Sequence, residues 1–231
     1  EKLMAKIGLT NFRYGLLTEA TDGTPTYSGV KTPGNAIKSN VEVTNNDAKL
    51  YGDDVCLVEV NPEVKENRRV TWKEFELIES NSPTYYRREI TWNVFNEKAN
   101  RFANLLIQRG IKKGDKVAIL LMNCLEWLPI YFGILKIGAL AVPLNFRYAS
   151  DEIDYCLNLA DISVLFFGPE FIGRLEAITD KILAHRLLIY VGEGNAPTFS
   201  ENYFMSVMNY SSENPNVQIS DEDYGAILWK K

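Results

Sequence analysis

The sequence predicts an α/β fold: a mainly parallel sheet flanked by helices, preceded by a small β-rich or irregular leader. Three observations carry that prediction. Continuous apolar runs of strand length recur at 117–121, 140–144, 163–167, 187–191 and 226–229. Segments of helical length separate most of them. The first 55 residues lack this rhythm and carry Gly8, Gly15, Gly23, Gly29, Gly34, Gly52, Pro25 and Pro33 instead. Strands that alternate with helices form βαβ units with right-handed crossovers. Strands that are apolar throughout need cover on both faces, which helix layers supply.

The elements follow in order. In the leader, Thr24 to Gly29 and Lys31 to Asn35 are turn clusters. Val41 and Val43 alternate with polar neighbours, which predicts a strand over 40–44. No helical period of useful length is visible there. Residues 68–75 and 87–95 then share a pattern: Arg68, Arg69, Thr71, Trp72 and Phe75 against Arg87, Arg88, Thr91, Trp92 and Phe95. Nothing downstream continues the period, so it reads as a local duplication or a junction of related sequences rather than a solenoid. Ser80 to Pro83 is the loop between the copies.

Thr91 is placed to cap a helix running to about Arg109. Phe95, Ala99, Phe102 and Leu106, with Leu105 beside them, make one apolar face; Lys98, Arg101 and Gln108 lie off it. Gly110 suits the position after the helix end. Gly114 and Asp115 turn the chain into the strand at 117. Residues 125–136 form a second, apolar helix closed by Gly138. Gly133 and Gly138 permit close packing and helix termination. Ser150 is placed to cap a third helix, with Asp151 and Glu152 at its positive end. A helix around 170–182 and a short one around 200–209 complete the set.

Size and charge bound the function. The 231 residues suffice for one large domain or two small ones. Lysine and arginine total 25 against 30 aspartate and glutamate, a net charge of −5 that argues against a general nucleic-acid binder. No long apolar run is present, so no membrane span is expected. Cys56, Cys124 and Cys156 are far apart and odd in number, and residues 1–4 show no signal-peptide core. Both features point to a reduced, cytoplasmic setting.

Motifs that carry chemistry are weak. Gly192-Glu193-Gly194 follows a strand, as a dinucleotide loop does, but Pro197 stands where the third glycine belongs. Glu193 would repel a pyrophosphate, so a surface turn is favoured. No P-loop motif occurs. His185 is the only histidine and would have to serve every role in a metal cluster or triad; a solvated or capping residue is favoured. Asp221, Glu222 and Asp223 are consecutive and so diverge, which favours a solvated acidic turn over a cation site. Arg101, Arg109, Lys112, Lys113 and Lys116 read as a wet helix end and turn. No residue is assigned a catalytic, cofactor-binding or metal-ligating role.

Several blocks together resemble a known family. Ile90 to Leu106, Gly110 to Leu120, Asn123 to Trp127, Tyr131 to Ala139, Val142 to Tyr148 and Asp151 to Tyr155 are similar, in order and spacing, to the opening of AMP-forming acyl-CoA synthetases of the ANL adenylating superfamily. This resemblance spans about 85–231, and 56–78 looks like a second partial copy of the same opening. Residues 4–54 instead resemble the start of a phage major tail protein, on Met4 to Gly15, Leu17 to Tyr27 and Val43 to Leu50. The organisation expected is a phage-tail-like leader over 1–55, a junction with the duplicated motif over 56–84, and a truncated N-terminal α/β subdomain over 85–231.

The synthetase resemblance implies carboxylate adenylation by ATP, then thioester formation with CoA, with Mg²⁺ neutralising the phosphates. It implies a carboxylic acid substrate, a fatty acid first among them. Asp223 to Trp229 look like the strand before the family's Ser/Thr/Gly-rich phosphate loop, but Lys230 and Lys231 follow. The family's phosphate loop and C-terminal domain are absent from these residues. The chain alone is therefore expected to be inactive and to bind none of ATP, Mg²⁺ or CoA. The last strand is expected to leave an open sheet edge that promotes self-association. The alternative is a structural, phage tail-like assembly protein.

Overall fold

A computed structural model describes residues 14–19, 25–30, 37–60, 68–70, 75–77, 87–183, 186–220 and 222–229. The chain opens with β1 (Tyr14–Glu19), β2 (Pro25–Val30), α1 (Ile37–Tyr51), β3 (Val55–Val60), β4 (Arg68–Val70), β5 (Phe75–Leu77) and β6 (Arg87–Thr91). Then come α2 (Trp92–Gln108), β7 (Lys116–Leu120), α3 (Trp127–Lys136), β8 (Leu140–Pro143), α4 (Ser150–Leu159) and β9 (Val164–Phe167). The last elements are α5 (Ile172–Glu176), α6 (Thr179–Ile182), β10 (Leu187–Tyr190), β11 (Glu201–Asn202), α7 (Tyr203–Val207) and β12 (Ala226–Trp229).

The main sheet has the order β11-β10-β9-β7-β8-β12-β1-β2. Every pair from β11 to β1 is parallel, and only β1–β2 is antiparallel. The parallel α/β fold expected from the sequence is thus observed. Alternating side chains feed two cores. Ala118, Leu120, Leu165 and Phe167 face Ile153, Leu157, Leu175 and Ile182 of α4 to α6. Val117, Ile119, Val164 and Phe166 face Phe102, Leu106, Ile130, Ile134 and Tyr203 of α2, α3 and α7. The Phe102 and Phe166 rings meet edge to face at 4.7 Å.

α2 forms for the reasons its sequence gives. Thr91 Oγ1 accepts a hydrogen bond from the Val94 N–H at 3.3 Å. Phe95, Ala99, Phe102, Leu105 and Leu106 are all buried. Gly110 follows the C-cap with φ 82°, the left-handed conformation that favours glycine. α3 lies directly on α2 because residue 133 is glycine. A Cβ there would sit 2.4 Å from the Phe102 ring and 2.9 Å from the Ala99 carbonyl oxygen.

Several expectations are corrected. The strand expected over 40–44 is part of helix α1. Val41 and Thr44 are buried and Asn45 and Ala48 half-buried, a helical spacing hidden by polar residues on the inner face. The cap expected from Ser150 is not made: Ala149 is the N-cap, and its N–H is taken by the Glu152 carboxylate at 2.9 Å. The helix expected over 170–182 is broken into a 3₁₀ turn (Pro169–Phe171), α5 and α6, with Ile178 turned into the core between the last two. The helix expected over 200–209 is shortened to α7, because Glu201 and Asn202 extend the sheet as β11.

The sheet edge expected to be open at β12 is paired. β1 runs parallel to it in the register Tyr14↔Ala226, Gly15↔Ile227, Leu16↔Leu228, Leu17↔Trp229. The two copies of the doubled segment also part ways. Arg68–Val70 is β4, paired antiparallel with β5, whereas Arg87–Thr91 is β6, paired with β3 and running into α2. Residues 71–74 and the loop at 80–83 lie outside the described residues, as do residues 4–13, 20–24 and 31–36 of the tail-like stretch, the turn expected at 31–35 among them.

Candidate functional site

The connection after β7 leads to β8 on one side, whereas the connection after β9 leads to β10 on the other. Adjacent strands whose connections diverge open a crevice at their carboxyl ends, where ligands of α/β sheets bind. A crevice of about 200 Å³ lies there. Leu121 to Cys124 and Glu126 border it after β7, Gly168 to Glu170 after β9, and Val191 to Glu193 after β10. Glu59 of β3 and Arg88 of β6 close it from the small antiparallel ladder.

Each charged wall has a partner that fixes it. Glu59 accepts two hydrogen bonds from Arg88 Nη2, at 2.8 and 2.9 Å, and a third from the Leu125 N–H at 2.9 Å. The Glu59 bond holds the Arg88 guanidinium above its ordinary pKa, against the opposing pull of burial. Buried Glu126 accepts from Lys98 Nζ at 3.4 Å. Cys124 stands between them, its thiol pushed up to about 11 by burial and then by the Glu126 charge. A thiol held protonated is a poor nucleophile.

The Gly192-Glu193-Gly194 segment is a surface turn, as expected, and Gly192 and Glu193 border this rim. Gly192 is required by its neighbour: a Cβ would sit 2.3 Å from the Tyr190 hydroxyl. That hydroxyl donates to the Glu193 carbonyl at 3.3 Å and so pins the turn. Four carboxylates, Glu59, Glu126, Glu170 and Glu193, line the crevice against Arg88. Arg88 and Lys98 neutralise two of them, which leaves Glu170 and Glu193. An unbalanced acidic rim does not cradle phosphate.

The other residues weighed from sequence are spread apart. His185 and Asp221 lie outside the described residues. Asp223 pairs with Lys113 Nζ at 2.5 Å and accepts from the Ser220 N–H at 2.7 Å, a structural turn. Most of the basic stretch is engaged by structural partners: Arg101 binds Glu97 and the Tyr210 carbonyl, Arg109 binds Glu201, and Lys116 lies 3.7 Å from Asp161. Among the described residues, no group of three His, Cys, Asp or Glu is placed to hold a metal ion. No helix among them is long and apolar enough to cross a membrane.

Two features escaped sequence reasoning. The Glu59–Arg88 pair joins residues 29 apart, and nothing local marks it. Lys136 sits at the end of an apolar helix with 1% exposure. Its Nζ donates to Asn45 Oδ1 at 2.6 Å and to Asn214 Oδ1 at 3.1 Å. Burial pulls this ammonium down to about 7. A lysine inside an apolar helix was the available signal.

Comparisons with known proteins agree with this architecture. Residues 45–228 match the family described as AMP-binding enzyme. A crotonobetaine/carnitine–CoA ligase of Salmonella paratyphi B is 40% identical over 84 residues, 36% of this chain and 16% of that protein. The matched region is thus a small part of the curated relative's length. The fatty acyl CoA synthetase of Mycobacterium tuberculosis aligns over 62% of this chain and 28% of its own, with 26% identity and a TM-score of 0.55. An anthranilate CoA ligase solved with anthranoyl-AMP shares the fold over 80% of this chain and 31% of its own, with 22% identity and a TM-score of 0.65. With the family match reaching from α1 into β12, the chain belongs to the AMP-binding enzymes.

Proposed function

We propose that these residues form the opening α/β layer of an ATP-dependent acyl-CoA ligase. The observation that carries this is the family match over 45–228, laid on a parallel sheet whose strands end at one rim. In the reaction proposed, a carboxylate oxygen attacks the α-phosphate of ATP and releases pyrophosphate. The CoA thiol then attacks the acyl carbon and releases AMP. The substrate is a carboxylic acid, with fatty acids the first class to test.

The role of this layer is to build and hold the floor of the ligase, not to bind phosphate. The rim crevice is acidic, and its two most constrained carboxylates are engaged by Arg88 and Lys98. No Mg²⁺ ligand and no catalytic group is assigned to these residues. The layer includes α1, because the family match starts within that helix, at residue 45. The match thus begins inside the 1–55 leader expected from the sequence and runs through the 56–84 junction.

A chimera tests this reading. Residues 45–228 replace the matching segment of the Salmonella crotonobetaine/carnitine–CoA ligase. Retained thioester formation supports the proposal; a folded chimera without activity overturns it. The 231-residue protein alone is expected to show no acid-dependent pyrophosphate exchange, and exchange above background would refute its inactivity.

A further inference from the structure

The doubled segment offers β3 two partners. Aligned without a gap on Thr71-Trp72 and Thr91-Trp92, Arg68, Val70 and Phe75 match Arg88, Ile90 and Phe95. Residues two apart in a strand share a face. Arg88 and Ile90 are the inner face of β6: Arg88 Nη2 donates to Glu59 at 2.8 Å, and Ile90 is buried. Arg68 and Val70 repeat that face with one methylene less. The outer face differs, Arg69 against Glu89, but Glu89 is exposed and paired with exposed Arg87, so it selects little.

The observed ladder is divided at one place. Val60, Glu59, Val58 and Leu57 pair with Arg87, Arg88, Glu89 and Ile90; the register then shifts at Cys56 before Val55 meets Thr91. A bulge of this kind interrupts the ladder. The Thr91 side is anchored separately. The Trp92 N–H donates to the Asp54 carbonyl at 3.1 Å, and the Asn93 N–H to the Gly52 carbonyl at 2.9 Å. Residues 87–90 can therefore leave β3 while Thr91 still caps α2.

The other copy is weakly held. β4 pairs with β5 over three residue pairs, in a two-stranded sheet of its own. Such a sheet is marginal in water. Chain length also favours this copy: residues 61–67 link Val60 to Arg68, whereas 61–86 link it to Arg87. Closing the shorter loop is favoured on the order of tenfold. The missing methylene of Val70 opposes it by a factor of about the same size. We infer that β3 exchanges partners: in a minor state Leu57, Val58 and Glu59 pair with Val70, Arg69 and Arg68 in place of Ile90, Glu89 and Arg88. Arg68 then holds the Glu59 wall of the rim crevice, so the wall keeps its charge balance in both states. The inference does not depend on the ligase reading.

A cross-linking competition tests it, in the 231-residue protein carrying Val58→Cys, Arg69→Cys and Glu89→Cys. Position 58 faces 89 in the observed ladder and 69 in the exchanged one. A glutathione buffer lets the disulfides equilibrate, and peptide mass mapping of the monomer reads which bridge forms. Burial pushes the nearby Cys56 thiol up to about 11, so it competes slowly. The 58–89 bridge is expected as the main product and 58–69 as the minor one. Ile90→Ala should raise the 58–69 share roughly tenfold, and Val70→Asp should remove it. If Ile90→Ala fails to fold, Val70→Ile, which leaves the observed ladder untouched, should raise the share about fourfold. Absence of the 58–69 bridge from every folded variant would overturn the inference. So would a 58–69 share that is the same with and without Val70→Asp, the mark of random collision.

Discussion

Lys136 Nζ donates to Asn45 Oδ1 at 2.6 Å, and so ties the end of α3 to a helix that precedes the whole βαβ body. Asn214 Oδ1 takes the same ammonium at 3.1 Å, which adds the segment after α7 to the junction. Three separate parts of the chain thus meet on one buried cation. The Gly52 carbonyl accepts the Asn93 N–H at 2.9 Å, a second link between the region of α1 and the start of α2.

That junction makes stability depend on pH in a stated direction. Burial lowers the folded-state pKa of Lys136 from 10.5 to about 7. Between those values the unfolded chain holds a proton that the folded chain lacks. Stability therefore rises with pH across this window, by up to about 1.4 kcal/mol per unit, and the dependence flattens below it. Lys136→Met carries no proton in either state. Urea midpoints at pH 7, 8 and 9 should climb more steeply for the natural chain than for the variant, and parallel curves would count against a depressed lysine.

Gly133 and Gly173 should respond oppositely to alanine. At 133 the added Cβ meets the Phe102 ring and the Ala99 carbonyl, and both belong to a packed helix. Overpacking of that kind costs about 1–3 kcal/mol. At 173 nothing lies within 4 Å of the new Cβ, and the residue is helical. Gly173→Ala should be neutral or stabilise by up to about 1 kcal/mol. Chemical denaturation of both variants decides it, and equal tolerance at 133 would show that α3 can move off α2.

Glu59 should matter more than an ordinary surface carboxylate. Glu59→Ala strands the Leu125 N–H and releases Arg88 at once. Arg88 is more than a third exposed, so water screens its share of the loss. A destabilisation of about 1–2 kcal/mol is expected, mostly from the backbone donor. A cycle with Arg88→Met should show coupling between the two changes, and strict additivity would mean that the pair is not a unit.

Sequence reasoning succeeded where one local signal set one element. Thr91, the Phe95–Leu106 stripe and Gly110 mark α2 from end to end, and the structure uses all three. The apolar runs at β7 to β10 and β12 were legible because strands covered on both faces admit few polar residues. α1 was hidden for the opposite reason: its inner face is Val41, Thr44, Asn45 and Ala48, two of them polar, and Asn45 is there to take the Lys136 ammonium. The rim crevice was illegible because Glu59 and Arg88 meet only through the pairing of β3 with β6. The Gly192 turn was half legible; its glycine is explained by Tyr190 and not by a phosphate.

The pairing of β1 with β12 yields the last prediction. β12 sits between β8 and β1, and only a single residue pair, Ala226↔Ala141, joins it to β8. Four pairs join it to β1. Without β1, the outer backbone groups of β12 lie open beside the half-exposed Leu228, a template for another chain. Deleting residues 1–36 should therefore turn concentration-independent light scattering into concentration-dependent association. Leu16→Pro, which removes an N–H from the middle of β1, should do the same more weakly. A deletion variant that keeps monomer mass at every concentration would show that β12 is protected by something other than the leader strand.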